Sequence, residues 1–341
     1  MRQEKHVSIF GAGPAGIVAS AALSELGYEV SLIESKDVIG GHLQQWDHLF
    51  PEKRLASDIL ANLSSTIKPE VTVYLSDSAK KIEKNKEFSI QLTSGKSLKA
   101  DAILLATGFD TFDASRKEEY GYGIYDHVIT SADLELRFKE YAPMLSSAGV
   151  SPKKIGFVHC VGSRDEKAGH MHCSKVCCVT AVKQAIEIKE KFPEADVYCF
   201  YMDLRMFGLG YEELYKESQE KYGIQFIRGR LSEAFENQDG TVLVKVEDTL
   251  AGKPLKISLD LLVLMVGMLP SAGTKKMSQL MNLELNPNGF LASQDALTAS
   301  HDTNIPGVFI AGSCRAPKTL EDTLADARSA AIRIDQYLSE N

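Results

Sequence analysis

Short apolar runs alternate along this chain with longer amphipathic stretches, in a strand–helix–strand order that recurs. His6-Val7-Ser8-Ile9-Phe10 reads as a buried strand, Ile17 to Leu26 as an Ala-rich helix closed by Gly27, and Tyr28 to Ile33 as a second strand. The pattern returns with a strand at Lys154 to Val161, a helix at Cys177 to Lys191 and a strand at Asp196 to Tyr201. A closing helix is expected over Leu320 to Tyr337. Strands alternating with helices predict an α/β fold built on parallel sheets. The longest apolar run, Leu261 to Leu269, is far too short to cross a bilayer, so no membrane span is expected.

Length and composition then set the class. At 341 residues the chain has room for two compact domains, and 44% hydrophobic with 25% charged residues is ordinary for a globular protein. A net charge of −8 offers no broad footprint for nucleic acid or anionic lipid, and no nucleic-acid partner is expected. Met1-Arg2-Gln3-Glu4-Lys5 runs straight into the first strand without a secretory apolar region, so the expected location is cytoplasmic. In that compartment thiols stay reduced, and clustered cysteines read as metal-binding or redox-active. Cys199, inside the apolar run Val197 to Tyr201, reads as a buried core thiol.

The first strand leads into Gly11-Ala12-Gly13-Pro14-Ala15-Gly16, and Glu34 ends the second strand. This is G-x-G-x-x-G in full strand–turn–helix–strand–acid context. The first glycine permits the tight turn, the second lets backbone approach a pyrophosphate, and the third lets helix pack on strand. The helix N-terminus adds positive partial charge, and Glu34 is placed to accept from ribose hydroxyls.

The second strand–helix junction is different. Between Val161 and Lys175 there is no glycine-rich phosphate loop but a longer, charged stretch, and around it stand Cys160, Cys173, Cys177 and Cys178, spaced C-x12-C-x3-C-C. Cys160 falls at a strand end. Cys173 and Cys177 would share a face if a helical turn ran through them, whereas Cys177 and Cys178 differ by about 100° on a helix and could bind one centre only near a frayed helix start or in an irregular site, which predicts them at the first turn of the helix. Four chemistries are open: an iron–sulfur cluster, a zinc site, a redox dithiol, and four unrelated buried thiols. His159, His170 and His172 flank the set and are read as loop histidines rather than ligands.

Several segments resemble known families. Ser35-Lys36-Asp37-Val38-Ile39-Gly40-Gly41-His42, Ala102-Ile103-Leu104-Leu105-Ala106-Thr107-Gly108 and Gly307-Val308-Phe309-Ile310-Ala311-Gly312-Ser313 resemble, in order, the three FAD motifs of the flavoproteins with two dinucleotide-binding domains. The expected fold is therefore two Rossmann-like dinucleotide-binding domains of the thioredoxin reductase-like, FAD/NAD(P)-binding type. A discontinuous FAD domain is expected at 1–112 and 262–341, and a smaller domain carrying the cysteines at 113–261. Phe157-Val158-His159-Cys160-Val161-Gly162-Ser163-Arg164-Asp165-Glu166 with His172-Cys173-Ser174-Lys175-Val176-Cys177-Cys178 resembles the signature of the A-type subunits of heterodisulfide reductase. Tyr120-Gly121-Tyr122-Gly123, Val266-Gly267-Met268-Leu269-Pro270 and Gly312-Ser313-Cys314-Arg315-Ala316-Pro317-Lys318 resemble the same family.

The resemblance implies an oxidoreductase subunit holding FAD and a [4Fe-4S] cluster on Cys160, Cys173, Cys177 and Cys178. The implied FAD contacts are Gly11, Gly13, Pro14, Ala15, Gly16, Glu34, Ser35, Gly41, His42, Ala79, Ala106, Thr107, Gly108, Gly267, Gly312, Ser313, Lys318, Thr319 and Leu320. Lys183 stands where the family has a lysine and would act as a cation beside the flavin ring; a solvated helix lysine is the alternative. The implied partners are heterodisulfide reductase B- and C-type subunits and a lipoate-binding protein, around a homodimer of this chain within a larger complex.

Three departures matter. Ferredoxin-type C-x2-C-x2-C-x3-C-P runs are absent, the stretch after the glycine pair has no cysteine, and Ser313 stands where related flavoproteins have Asp. The chain looks most like the short form found in the heterodisulfide-reductase-like complexes of sulfur oxidisers. Subunits of quinone-interacting complexes in sulfate reducers, and a stand-alone NAD(P)H-dependent FAD oxidoreductase, are the rival expectations.

Overall fold

The computed structural model describes residues 5–145 and 149–340; Met1–Glu4, the start of the segment expected to lack a leader, lie outside the described residues. The chain divides into two compact units, one of Met1–Gln44, Ala56–Asp110 and Leu269–Asn341, the other of Gln45–Leu55 and Thr111–Met268. The short stretch 45–55, adjoining the glycine pair in sequence, groups with the second unit.

The first unit is built on a five-stranded parallel sheet in the order Val308–Ile310, Ala102–Leu105, His6–Phe10, Glu29–Ile33, Thr72–Tyr74. His6–Phe10 lies at its centre, which is why four of its five residues are buried and its sequence does not alternate. The helix Pro14–Glu25 follows. It starts three residues before the apolar pattern suggests, because Pro14 at its first turn needs no N–H partner and has a helical φ. Ala15, Gly16, Ala19 and Ala21 make it thin enough to be buried almost all round. Gly27, at φ +91°, turns the chain out of it. A three-stranded antiparallel sheet, Ala79–Lys84, Phe88–Leu92 and Ser97–Ala100, and the helices Ala56–Ser64, Ala272–Met281 and Leu320–Glu340 complete the unit.

The second unit repeats the plan. Its parallel sheet runs Val128–Thr130, Leu261–Val266, Lys154–Val161, Asp196–Tyr201, Gln225–Arg228. An antiparallel sheet of Leu231–Glu236, Val242–Asp248 and Lys253–Leu259 accompanies it. All six residues of Leu261–Val266 are buried, each large side chain contributing ~1.5–3 kcal/mol. The helix Cys177–Lys191 has no side-chain cap and begins on the cysteine itself, so no helical turn runs through Cys173. Cys199 is fully buried in the core between this helix and the sheet. Among the described residues no helix is long and apolar enough to cross a membrane.

Candidate functional site

In the first unit the three glycines divide the labour that their spacing predicts. Gly11 has φ +103°, and a Cβ on it would lie 2.3 Å from the Ala106 carbonyl oxygen, so two strand ends meet backbone to backbone. A Cβ on Gly16 would lie 1.8 Å from the Gly11 carbonyl oxygen, which forces glycine where helix packs on turn. Gly13 is different: its hypothetical Cβ has only the Gly41 Cα nearby, at 4.0 Å. Gly13 and Gly41 thus form two walls of a cradle that any side chain would begin to fill. Gly40 pins the second wall by donating its N–H to the Ala12 carbonyl at 2.7 Å. Above the cradle is the uncapped N-terminus of the helix Pro14–Glu25, with no acidic residue in its first turn. Its unpaired N–H groups and positive partial charge suit a pyrophosphate.

The acid at the end of the second strand belongs to the same turn. Glu34 accepts the Ala12 N–H on Oε2 at 2.8 Å, and on Oε1 the Lys36 N–H at 2.9 Å and the Ser35 hydroxyl at 3.1 Å. A carboxylate has about four lone-pair directions, so capacity for ribose hydroxyls remains. Ala106 pairs with Phe10, Thr107 meets Thr274 hydroxyl to hydroxyl at 2.7 Å, and Gly108, at φ +67°, faces open space. His42 is held by the Phe109 carbonyl at 2.9 Å and stacks on the Phe109 ring. Ala79 lies in the apolar core of the unit.

At the C-terminal turn Gly312 takes φ +75°, with a hypothetical Cβ 2.8 Å from that of Ala15. Ser313 does not hold this turn. Asp326 does: its Oδ2 accepts the Gly312 N–H at 2.7 Å, and its carboxylate pairs with Arg315 and, at 3.7 Å, with Lys318. Nothing local marks Asp326 in the sequence, because it sits inside a regular helix. Thr319 caps that helix reciprocally with Asp322, directly before Leu320. Glu321 and Asp322 in its first turn already compensate the positive helix end. Gly267 belongs to the second unit, where its hypothetical Cβ would be 3.0 Å from Ser163 and Ser174.

The second unit gathers the cysteines. Cys160 sits near the end of its strand with φ +59°, unusual for a residue with a side chain, where the register against Leu261–Val266 shifts. Cys177 and Cys178 form the first turn of the helix, and Cys173 is half-buried on the loop before it. Burial, then Cys178, pushes the Cys160 thiol up to about 11, with Arg164 opposing. Cys177 is raised by burial and by Cys160, Cys178 and Cys173; Cys178 is raised by burial, against a backbone hydrogen bond from Arg205. Cys177 donates to the Val266 carbonyl and Cys178 to that of Asp203, while Cys173 accepts the Lys175 N–H at 3.4 Å. As thiols they do not form a ligand cage: among the described residues no three His, Cys, Asp or Glu side chains stand close enough to hold a metal ion. The chemistry of the set still suits a cation. Thiolates buried beside one another oppose each other's ionisation, and a multivalent cation among them removes that opposition.

The loop between Cys160 and Cys173 is anchored by a buried ion cluster that sequence reasoning missed. Asp165 takes Lys117 Nζ at 2.8 Å and Arg230 at 2.9 Å, and accepts the Lys167 and Ala168 N–H groups. His159 is buried with neither ring nitrogen hydrogen-bonded, and burial pulls it down to about 4, so its ring is neutral. His172 is held by the Met268 carbonyl at 2.9 Å.

Lys183 is no solvated lysine. It is 1% exposed, with Nζ 2.5 Å from Glu135, 3.1 Å from Glu187 and 3.0 Å from the His48 carbonyl. Burial lowers its pKa but the two carboxylates overcome that and raise it, so the ammonium persists; burial pushes Glu187 up to about 7.

Comparison with known proteins agrees with this geometry. The model of the pyridine nucleotide-disulphide oxidoreductase family matches residues 5–140 and 179–331. The interval it skips contains all four cysteines of the set. The iron-sulfur A subunit of the CoB--CoM heterodisulfide reductase of Methanocaldococcus jannaschii is 33% identical over 97% of this chain and 64% of its own length. The A subunit of the H(2):CoB-CoM heterodisulfide,ferredoxin reductase of Methanothermobacter thermautotrophicus is 44% identical over 69% of this chain and 37% of its own. The chain thus spans less than two thirds of these relatives. Thioredoxin reductase from Lactococcus lactis shares the fold, with a TM-score of 0.70 at 17% identity, covering 99% of this chain and 100% of that one. This chain belongs to the pyridine nucleotide-disulphide oxidoreductase family, as a homologue of heterodisulfide reductase A subunits.

Proposed function

We propose that this pyridine nucleotide-disulphide oxidoreductase homologue is an electron-transfer subunit that holds FAD in its first unit and a [4Fe-4S] cluster in its second, within a heterodisulfide-reductase-type complex. The observation that carries it is the placement of Cys160, Cys173, Cys177 and Cys178. Cys160 stands near a strand end, Cys177 and Cys178 open a helix and Cys173 lies on the loop before it, in the interval that the family model skips, where no glycine-rich loop is present. Bound FAD exchanges electrons in pairs or singly, and a cluster exchanges them singly.

The chain's own residues supply binding. Gly13, Gly41 and the helix N-terminus at Pro14–Ala15 take the pyrophosphate, with Gly11 and Gly16 shaping the turn; Glu34 and Ser35 take the ribose. Ala106, Thr107, Gly108, Gly312, Ser313, Lys318, Thr319 and Leu320 line the approach of the ring end. The Gly312 turn is held by Asp326, which supports a backbone contact where Ser313 replaces the usual acid. Lys183 would act as the cation beside the ring only to the extent that Glu135 and Glu187 leave it net charge. The complex we propose serves dissimilatory sulfur oxidation, with B- and C-type subunits and a lipoate-binding protein carrying the sulfur. The resemblance to the short A-type form supports that context, and the sulfur chemistry then belongs to a partner.

Anaerobic purification followed by iron and flavin analysis tests the reading. About four iron atoms and one FAD per chain are expected, with iron lost in Cys160→Ser. Protein that carries FAD but no iron, and whose flavin bleaches with NAD(P)H, would instead establish a stand-alone pyridine-nucleotide oxidoreductase, which the family match favours as second reading.

A further inference from the structure

We infer that Arg164 sets the redox potential of the cysteine-bound centre, by holding a fixed positive charge and a hydrogen-bond donor against Cys160. The inference rests on the [4Fe-4S] reading above and adds the side chain that tunes such a centre. Each of the four sulfurs has a donor. Cys173 accepts the Lys175 N–H at 3.4 Å, Cys178 accepts from the Arg205 backbone, Cys177 from the Ser174 hydroxyl and Cys160 from the Arg164 guanidinium. Ser174 is fully buried, and its oxygen accepts the Met268 N–H at 2.8 Å, which leaves its own hydrogen for Cys177. Of these four donors only Arg164 brings a charge, and its field reaches Cys178 as well. It keeps its proton in any protein environment, so the charge is permanent.

Arg164 is fixed at both ends. Its backbone takes φ +52°, an uncommon conformation for a residue with a side chain, and its N–H donates to the carbonyl of His172, the residue before Cys173, at 3.0 Å. Its Nη2 donates to the Asp203 carboxylate at 2.6 Å, and the Asp203 carbonyl accepts from the Cys178 thiol at 3.7 Å. Asp203 is exposed and shared with Arg228 at 3.8 Å, so it offsets only part of the Arg164 charge. Nη1 is buried without a hydrogen-bond partner. An anchor for a surface loop does not need a buried spare N–H; a guanidinium facing thiolates does. When the bound centre takes one electron from the flavin its iron is reduced and the flavin oxidised, or the reverse, with no bond made and no proton moved. Thiolate ligands already make the centre anionic and reduction deepens that charge. A cation and an N–H···S bond therefore favour the reduced state and raise the potential.

The test is a redox titration of the anaerobically purified, FAD- and iron-loaded full chain, followed by electron paramagnetic resonance of the reduced centre. Arg164→Gln keeps a donor for Asp203 and removes the charge. Its midpoint potential is expected to fall by about 59 mV or more, a tenfold change in a one-electron equilibrium, at unchanged iron and FAD content. Arg164→Lys keeps the charge without the planar fork and is expected to recover more than half of that fall. Ser174→Ala removes a neutral donor and is expected to lower the potential by less than Arg164→Gln. An unchanged potential in Arg164→Gln, an equal fall in Arg164→Lys, or a larger fall in Ser174→Ala would overturn the proposal. Loss of iron from either Arg164 variant would make the residue a loop anchor and overturn it too. Wild-type protein without iron would sink the cluster reading beneath it, whereas iron-loaded protein with a potential indifferent to Arg164 would sink this inference alone.

Discussion

Asp326 accepts the backbone N–H of Gly312 at 2.7 Å, joining a turn at the end of one strand to the second turn of the helix that follows. The same carboxylate faces Arg315 and Lys318, so one side chain fixes the turn's backbone and gathers its cations. Asp326→Ala should therefore free the Gly312 N–H and leave two cations uncompensated. We expect a loss of ~1–3 kcal/mol in stability and a lower FAD content in purified protein, read by thermal melting and flavin absorbance. An unchanged FAD content would remove Asp326 from the site.

Gly13 and Gly16 separate binding from folding. Gly16→Ala drives a methyl into the Gly11 carbonyl and should cost ~1–3 kcal/mol or more whether or not FAD is present. Gly13→Ala meets nothing closer than 4.0 Å in the protein itself. It should leave the melting temperature of the flavin-free protein within a few degrees while weakening FAD retention. Equal destabilisation of both flavin-free variants would argue against the cradle.

The cysteines make two classes. Cys160→Ser, Cys173→Ser and Cys177→Ser should each cut the iron content at near-normal FAD. Cys199→Ser, in the core and outside the set, should leave iron unchanged and cost ~1–3 kcal/mol for a buried hydroxyl. Iron analysis of the four variants decides.

Asp165 holds the loop between Cys160 and Cys173. Asp165→Asn weakens its pairing with Lys117 and Arg230, and breaking a buried pair costs ~3–5 kcal/mol. Lower iron content with FAD retained is the expected signature, since the ion cluster belongs wholly to the second unit.

The Lys183 cluster sets a pH dependence. Glu187 is pushed up to about 7 from an ordinary value of 4.5, so between those values the folded chain binds more protons than the unfolded one. Its contribution is fully present below the unfolded value and is lost as pH rises through the folded one. The stability of wild type relative to Glu187→Gln should thus fall between pH ~4.5 and ~7, by at most ~1.4 kcal/mol per unit. A flat or rising difference in denaturant titrations would contradict the buried, protonated carboxyl.

What was legible in the chain alone was what local stereochemistry dictates. Positive φ at Gly11 and the close approach at Gly16 admit only glycine, so their spacing announces the turn and its ligand class. Runs of buried strand residues announce parallel sheets, and Cys177 opens its helix as its position suggested. What only the tertiary structure decided were pairings between side chains far apart in sequence. Lys183 changes from an exposed helix lysine to a buried ion when Glu135, 48 residues away, is folded against it. Asp165 becomes an anchor through Lys117 and Arg230, and Asp326 stands in for an acid missing at Ser313. Gly267, grouped by motif with the nucleotide residues, belongs to the second unit, and its neighbours Ser163 and Ser174 come from distant stretches of the chain. A backbone turn is encoded by the few residues that make it. A charge's partner is set by which strands become neighbours, and no local pattern records that.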